Sequence, residues 1–192
     1  LGAALLQLNR LEESIAWCQR ALSIQPDCIA AHINIGAVLL KQNHFAQAID
    51  EFQRVIALQP DDVNSVEAYT GLGAAFAAQR RFAQAEASYK NALRLQADCD
   101  VAHCGLGLVY SKSLNFEAAI ESYKRCLAIN PESSAAHVGL FHAQRQICDW
   151  DGQAERLGQT VHQAARGETN PWMLVSITDS APDQLQCARN FV

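Results

Sequence analysis

Apolar residues recur every three or four positions along most of the chain, the spacing of amphipathic helices. They do so in blocks that repeat. The clearest block is residues 31–60, AHINIGAVLLKQNHFAQAIDEFQRVIALQP. It carries Ile35–Gly36, Leu39, Phe45-Ala46-Gln47-Ala48, Phe52 and Pro60. The skeleton returns at Leu72–Gly73, Phe76, Phe82-Ala83-Gln84-Ala85 and Tyr89, and again at Leu106–Gly107, Tyr110, Phe116, Ala119, Tyr123 and Pro131. A shortened copy opens the chain with Leu1–Gly2, Leu5, Leu11, Ser14, Cys18 and Pro26. Each block reads as two helices joined by a turn. In residues 27–60 the helices fall near 30–42 and 45–58, and in the first block the second helix runs from about Glu12 to Ile24. Proline cannot continue a helix and biases its predecessor out of one, so Pro26, Pro60 and Pro131 mark stops.

The blocks divide the chain into units at about 1–26, 27–60, 61–97, 98–131 and 132–167. The third is three residues longer than its 34-residue neighbours. The extra length lies in DDVNSVEAYT, before Leu72, and either adds about a turn of helix or lengthens the connection. In the fifth unit Phe141 takes a small-residue place and Gln144 an aromatic one. Gln153 and Leu157 stand where the alanine and aromatic belong. Residues 168–192 leave the pattern. Asn170–Pro171 breaks the helix, and Ser180-Ala181-Pro182-Asp183 reads as a new helix start. Leu185, Ala188 and Val192 share one side of it. The chain begins inside a unit and stops in or just after this last helix, so more protein is expected on either side.

A repeat of this regularity predicts an all-α, right-handed α–α solenoid of about five helix pairs with a C-terminal helical extension, because each unit buries its apolar face only against its neighbours. The skeleton resembles the tetratricopeptide repeat (TPR) over residues 1–131, and more weakly over 132–167. A finer resemblance lies in the wording. AHINIG and FAQAIDEFQRVIALQP are similar to repeats of O-linked N-acetylglucosamine (O-GlcNAc) transferases and their SPINDLY-type relatives. Cys148-Asp149-Trp150 and Glu155-Arg156 match the CDW…ER wording that follows the last repeat there. PWMLVSITDSAPDQLQCARNFV is similar to the linker before the sugar-nucleotide-binding domains. The resemblance implies a protein-binding arm that recognises substrates for a glycosyltransferase acting on Ser or Thr from a nucleotide-sugar donor. The catalytic domains are not within these 192 residues, so the fragment is not expected to be an enzyme. The alternative is a free-standing TPR scaffold for assembly or self-association.

Composition narrows the partners. Hydrophobic content of 49% supports a continuous core, and a net charge of −5 gives no general attraction to nucleic acid or anionic membrane. No apolar run approaches the roughly 20 residues of a membrane span. The expected partner is therefore a protein or peptide, a second copy of the chain included. Leu1, Leu5 and Leu8 are candidates for an exposed apolar end. The seven cysteines form no CxxC pair. Cys18 and Cys126 fall in second helices and Cys28 and Cys99 at junctions, which reads as small buried hydrophobes in a reducing, cytoplasmic compartment.

No residue set supports catalysis or a cofactor. His32, His103 and His137 occupy equivalent places, with Tyr69 in that register in the third unit. Equivalent places in packed helices lie about 10 Å apart, whereas a metal bond spans about 2 Å, so these histidines are expected to pack rather than ligate. Gly71-Leu72-Gly73 and Gly105-Leu106-Gly107 lack the later glycine and the preceding strand of a phosphate loop, and read as helix-packing sites.

The remaining candidate surface is the concave face, which in this family the first helices line. By helical phase it takes Ala3 and Gln7; Ile33, Asn34, Ala37 and Lys41; Thr70, Ala74 and Ala78; Cys104, Leu108 and Lys112; and Val138, His142 and Gln146. It is mostly small and apolar, with Lys41, Lys112 and Arg145 adding positive charge, and it suits an extended peptide. The competing reading is a solvated inner face with no defined ligand. In O-GlcNAc transferases an asparagine per repeat holds the substrate backbone. Asn34 matches that place, but Gly71, Gly105 and Gly139 hold it afterwards, so the ladder is largely lost. The lysine/asparagine/arginine clamp of chaperone-binding TPR domains has no counterpart at Ile33, Ala37, Thr70, Ala74, Cys104 and Leu108, which argues against a co-chaperone.

Overall fold

The structure, a computed structural model, describes residues 2–60, 62 and 65–147. Among the described residues there are nine helices and no strand. They are α1 (Gly2–Gln7), α2 (Leu11–Ile24), α3 (Ile29–Lys41), α4 (Phe45–Leu58), α5 (Ser65–Ala78), α6 (Phe82–Leu95), α7 (Asp100–Lys112), α8 (Phe116–Ile129) and α9 (Ser134–Gln146). The predicted helices at 30–42 and 45–58 are α3 and α4 to within a residue. The second helix of the fifth unit, the CDW…ER wording and the 168–192 extension lie outside the described residues. What is described is four helix pairs and the first helix of a fifth.

The odd-numbered helices open each unit and the even-numbered ones close it. Each pair packs on itself, and the opening helices also touch one another across units: α1 with α3, α3 with α5, α5 with α7 and α7 with α9. The contacts are between near neighbours in sequence, as a solenoid requires.

Within a unit the turn is the same four times over. The residue two past the opening helix has left-handed backbone: Asn9 (φ 58°), Asn43 (61°), Arg80 (61°) and Leu114 (61°). The next amide reaches back five residues, Arg10 to Leu5, His44 to Leu39, Arg81 to Phe76 and Asn115 to Tyr110, at 2.8–2.9 Å. The left-handed residue's own amide reaches back three. This paired closure satisfies the last carbonyls of the opening helix. It also points the closing helix back along the first.

Between units the chain turns at Gln25–Pro26, Gln59–Pro60 and Asn130–Pro131, as the prolines predict. The connection is held by the repeat-equivalent histidines. Nε2–H of His32 donates to the Pro26 carbonyl (2.9 Å), that of His103 to Ala97 (3.1 Å) and that of His137 to Pro131 (2.8 Å). All three rings are buried. They are loop ties, consistent with the packing role read from their register. The three extra residues of the third unit are shared out: α5 is one residue longer than α3, α7 and α9, and its connection is two residues longer. There Ser65 does the tying, its hydroxyl donating to the Gln59 carbonyl.

The core is built from aromatic rings clamped by glycines. Phe52 of α4 lies between Gly36 of α3 and Gly71 of α5; Tyr89 of α6 between Gly73 and Gly105; Tyr123 of α8 between Gly107 and Gly139. A β-carbon at Gly36, Gly73 or Gly107 would sit 2.6–2.7 Å from its ring, and one at the partner glycine would sit closer still. Each ring thus fills a slot only two bare backbones leave open. In the first unit Cys18 takes the ring's place, against Gly2. One buried cluster runs from Cys18 to Val109 and a second from Ala119 to Ala143, with Tyr110 packed against both. Leu8 is exposed, but Leu5 is not: it is buried where α1 packs on α2 and α3, which corrects the expectation of an open apolar end there.

Candidate functional site

Among the described residues, the opening helices present their inner faces to three hollows. The first, about 890 Å³, runs from Ala3 past Ile33, Asn34 and Thr70 to Val101, with Gln59, Glu67 and Gln96 supplying polar atoms. The second, about 450 Å³, is lined by Ala74, Ala77, Ala78, Arg80, Phe82, Tyr89, Leu108 and Lys112. The third, about 620 Å³, shares Leu108 and Lys112 and adds Leu114, Phe116, Tyr123, Val138, His142 and Gln146.

Of the residues read from sequence, Ala3, Ile33, Asn34, Thr70, Ala74, Ala78, Leu108, Lys112, Val138, His142 and Gln146 thus line these hollows. Ile33, Thr70 and Val138 contribute only an edge, being largely buried. Ala37, Lys41 and Cys104 are not among the lining residues, nor is Gln7. Cys104 turns instead toward α8 and meets the Cys126 thiol. Asn34 spends its amide on its own helix, donating to the Ala30 carbonyl at 2.7 Å. Sequence phase missed Glu67, Arg80, Leu114 and Phe116. Glu67 was findable, since it sits three residues before Thr70 on the same helix face. Arg80 and Leu114 were not, because the left-handed turn residue that aims them is asparagine in the first two units.

Several ionisable groups at packing contacts are shifted from their ordinary values. Cys104 is held well above the ordinary thiol value, first by its hydrogen bond to Cys126 and then by burial. Cys126, receiving that bond, is lowered. Burial raises Tyr89, and it pushes Tyr123 up to about 12. Glu86 is lowered by its hydrogen bond to Lys90 and also accepts from the Tyr110 hydroxyl at 2.9 Å, tying α6 to α7. His142, in the third hollow, is lowered by burial and by Arg145. His32 Nδ1 lies 2.6 Å from the Glu51 carboxylate across α3 and α4. Cys18, Cys99 and Cys126 are buried, Cys28 and Cys104 are half-buried, and all five are free thiols. Cys28 and Cys99 stand at the helix-start places of α3 and α7, in register with Ser133, whose hydroxyl caps α9. Among the described residues no group of three or more His, Cys, Asp or Glu is placed to hold a metal ion, and no helix is long and apolar enough to cross a membrane.

Tetratricopeptide-repeat patterns match residues 1–61, 27–98 and 101–133. The chain belongs to the tetratricopeptide-repeat family. Its TPR fold is similar to that of TTC0263, a thermophilic TPR protein of Thermus thermophilus, at 21% identity over 94% of this chain and 95% of that one, with a TM-score of 0.76. PilF of Pseudomonas aeruginosa is similar at 18% identity over 98% and 85% of the two chains (TM-score 0.79). So is YrrB, a TPR protein with an unusual peptide-binding site, at 16% identity over 84% and 81% (TM-score 0.61). At these identities the likeness is one of fold. No curated protein matches the chain. A TPR array is a protein-interaction scaffold, and the matched repeats carry α1 to α8.

Proposed function

We propose that the inner face takes an extended segment of a partner protein, laid across successive opening helices. One observation carries this reading: three hollows of 890, 450 and 620 Å³ follow one another along those helices, and the last two share Leu108 and Lys112. An extended chain gains affinity from backbone hydrogen bonds and specificity from side chains placed in such successive hollows. YrrB, of the same fold, is a TPR protein with a peptide-binding site, which supports the same use here. The test is selection from a displayed random-peptide library on wild type and on Ala74→Arg, which fills the middle hollow. Sequences enriched on wild type should be lost on the variant, with its helical circular dichroism unchanged. Equal enrichment on both would sink the reading.

The wording AHINIG, FAQAIDEFQRVIALQP and Cys148-Asp149-Trp150 supports a narrower proposal, a substrate-recognition arm of a SPINDLY- or O-GlcNAc-transferase-like enzyme. A free-standing scaffold fits the fold equally well. The coding sequence beyond Val192 separates them: several hundred residues of α/β pattern support the arm, and a stop codon supports the scaffold. On either reading a glycosyltransferase assay of residues 1–192 should give no turnover above background.

A further inference from the structure

The hollows differ in charge. The first contains Glu67 and no lysine or arginine. The second and third contain Arg80, Lys112 and His142, and no aspartate or glutamate. Lys112 and Arg80 make no ion pair among the described residues. They stand beside apolar side chains that are also left open: Leu108 is 46% and Leu114 74% exposed. The chain as a whole carries a net charge of −5, so these two cations stand out against an acidic background.

Resting on the peptide-binding reading above, we propose that the second and third hollows select an acidic–apolar segment, with a carboxylate set against Lys112 and Arg80 and a leucine- or phenylalanine-type side chain against Leu108 and Leu114. Both needs must be met together. A purely apolar segment would leave two cations beside it with their water stripped away, and a polar one would leave the leucines wet. A basic segment is repelled. Arg80 and Leu114 stand at equivalent turns of neighbouring units, whose opening helices are about 10 Å apart, and an extended chain rises about 3.3 Å per residue. A carboxylate at Arg80 and an apolar side chain at Leu114 therefore fall roughly three positions apart.

Three fluorescein-labelled, end-blocked peptides test this by anisotropy: three repeats of Glu-Ser-Ser-Leu, the same with Gln for Glu, and the same with Lys for Glu. The glutamate peptide should bind about tenfold tighter than the glutamine peptide, the advantage shrinking with salt. The lysine peptide should bind weakest. Lys112→Glu alone should erase the preference, and Lys112→Glu with Arg80→Glu should reverse it. Ala74→Arg should abolish binding of all three. Equal binding of the three peptides, or a preference unmoved by charge reversal while Ala74→Arg still abolishes binding, overturns the charge selection and leaves the groove standing. Binding that survives Ala74→Arg overturns the groove reading and this proposal with it, and failure of all three peptides to bind wild type overturns the proposal.

Discussion

A β-carbon at Gly105 would fall inside the contact distance of the Tyr89 ring, and one at Gly139 inside that of Tyr123. These places share the register of Asn34, whose unit follows Cys18 rather than an aromatic ring. A longer side chain and the ring thus compete for one position, and glycine stands there wherever the ring is present. Gly105→Asn should therefore cost about 1–3 kcal/mol, the range for overpacking a filled core. Urea unfolding should show the loss, and Gly105→Asn combined with Tyr89→Leu should show less than the sum of the two single effects. Additive penalties would mean the ring is not the obstacle. The same burial makes the rings pH sensors at alkaline extremes. Tyr89 and Tyr123 lie above the usual phenol value of 10 when folded, Tyr123 at about 12. The unfolded chain gives up its protons first. Stability contributed by each ring is fully present below pH 10 and is lost as pH rises toward 12, at up to about 1.4 kcal/mol per pH unit per tyrosine. Tyr123→Phe should flatten part of that limb in urea midpoints taken from pH 9 to 11. A limb unchanged in the variant would contradict the assignment.

At the scale of the element, the repeat skeleton made most of this fold legible. The Gly36 place recurs in four units, an aromatic at the Phe52 place in three and proline at the Pro60 place in three, all with their spacing intact, so helix number, length and order follow from periodicity, and α3 and α4 fall where the pattern puts them. The inner face was legible only where one helix supplies it. Helical phase ranks side chains around a single axis, so it included Ala37, Lys41 and Cys104, which line none of these three hollows. It could not see that Arg80, Leu114 and Phe116 arrive from the turn and the closing helix. The turn itself was half hidden, because its left-handed residue is Asn9 or Asn43 in two units but Arg80 and Leu114 in the others. A leucine held at φ 61° with 74% of its surface exposed gains little from burial and bears backbone strain of about 1 kcal/mol. Leu114→Asn should accordingly raise thermal stability by about 0.5–1 kcal/mol. A lower melting midpoint would show that Leu114 contributes more through the third hollow than its backbone loses.

Across the whole molecule, stability should be local and transmitted stepwise, because each helix pair touches only its neighbours. The packing sharpens that expectation. α7 is bound closely to α8, through the Tyr123 ring in the Gly107 slot and the Cys104–Cys126 contact, and more thinly to α6. The weak junction thus lies between the third and fourth units, α6 against α7. Gly73→Val tests it. The new side chain would begin 2.7 Å from the Tyr89 ring, and overpacking there costs about 1–3 kcal/mol. Native-state hydrogen exchange should then show faster opening from α3 through α6, with α8 and α9 changed least. Uniform loss of protection in every described helix would mean that the array unfolds as one cooperative body. The second hollow bridges this junction, with Ala74 and Arg80 on one side and Leu108 and Lys112 on the other. A partner lying in that hollow would clamp the two sides together, and protection on each side should rise when it binds.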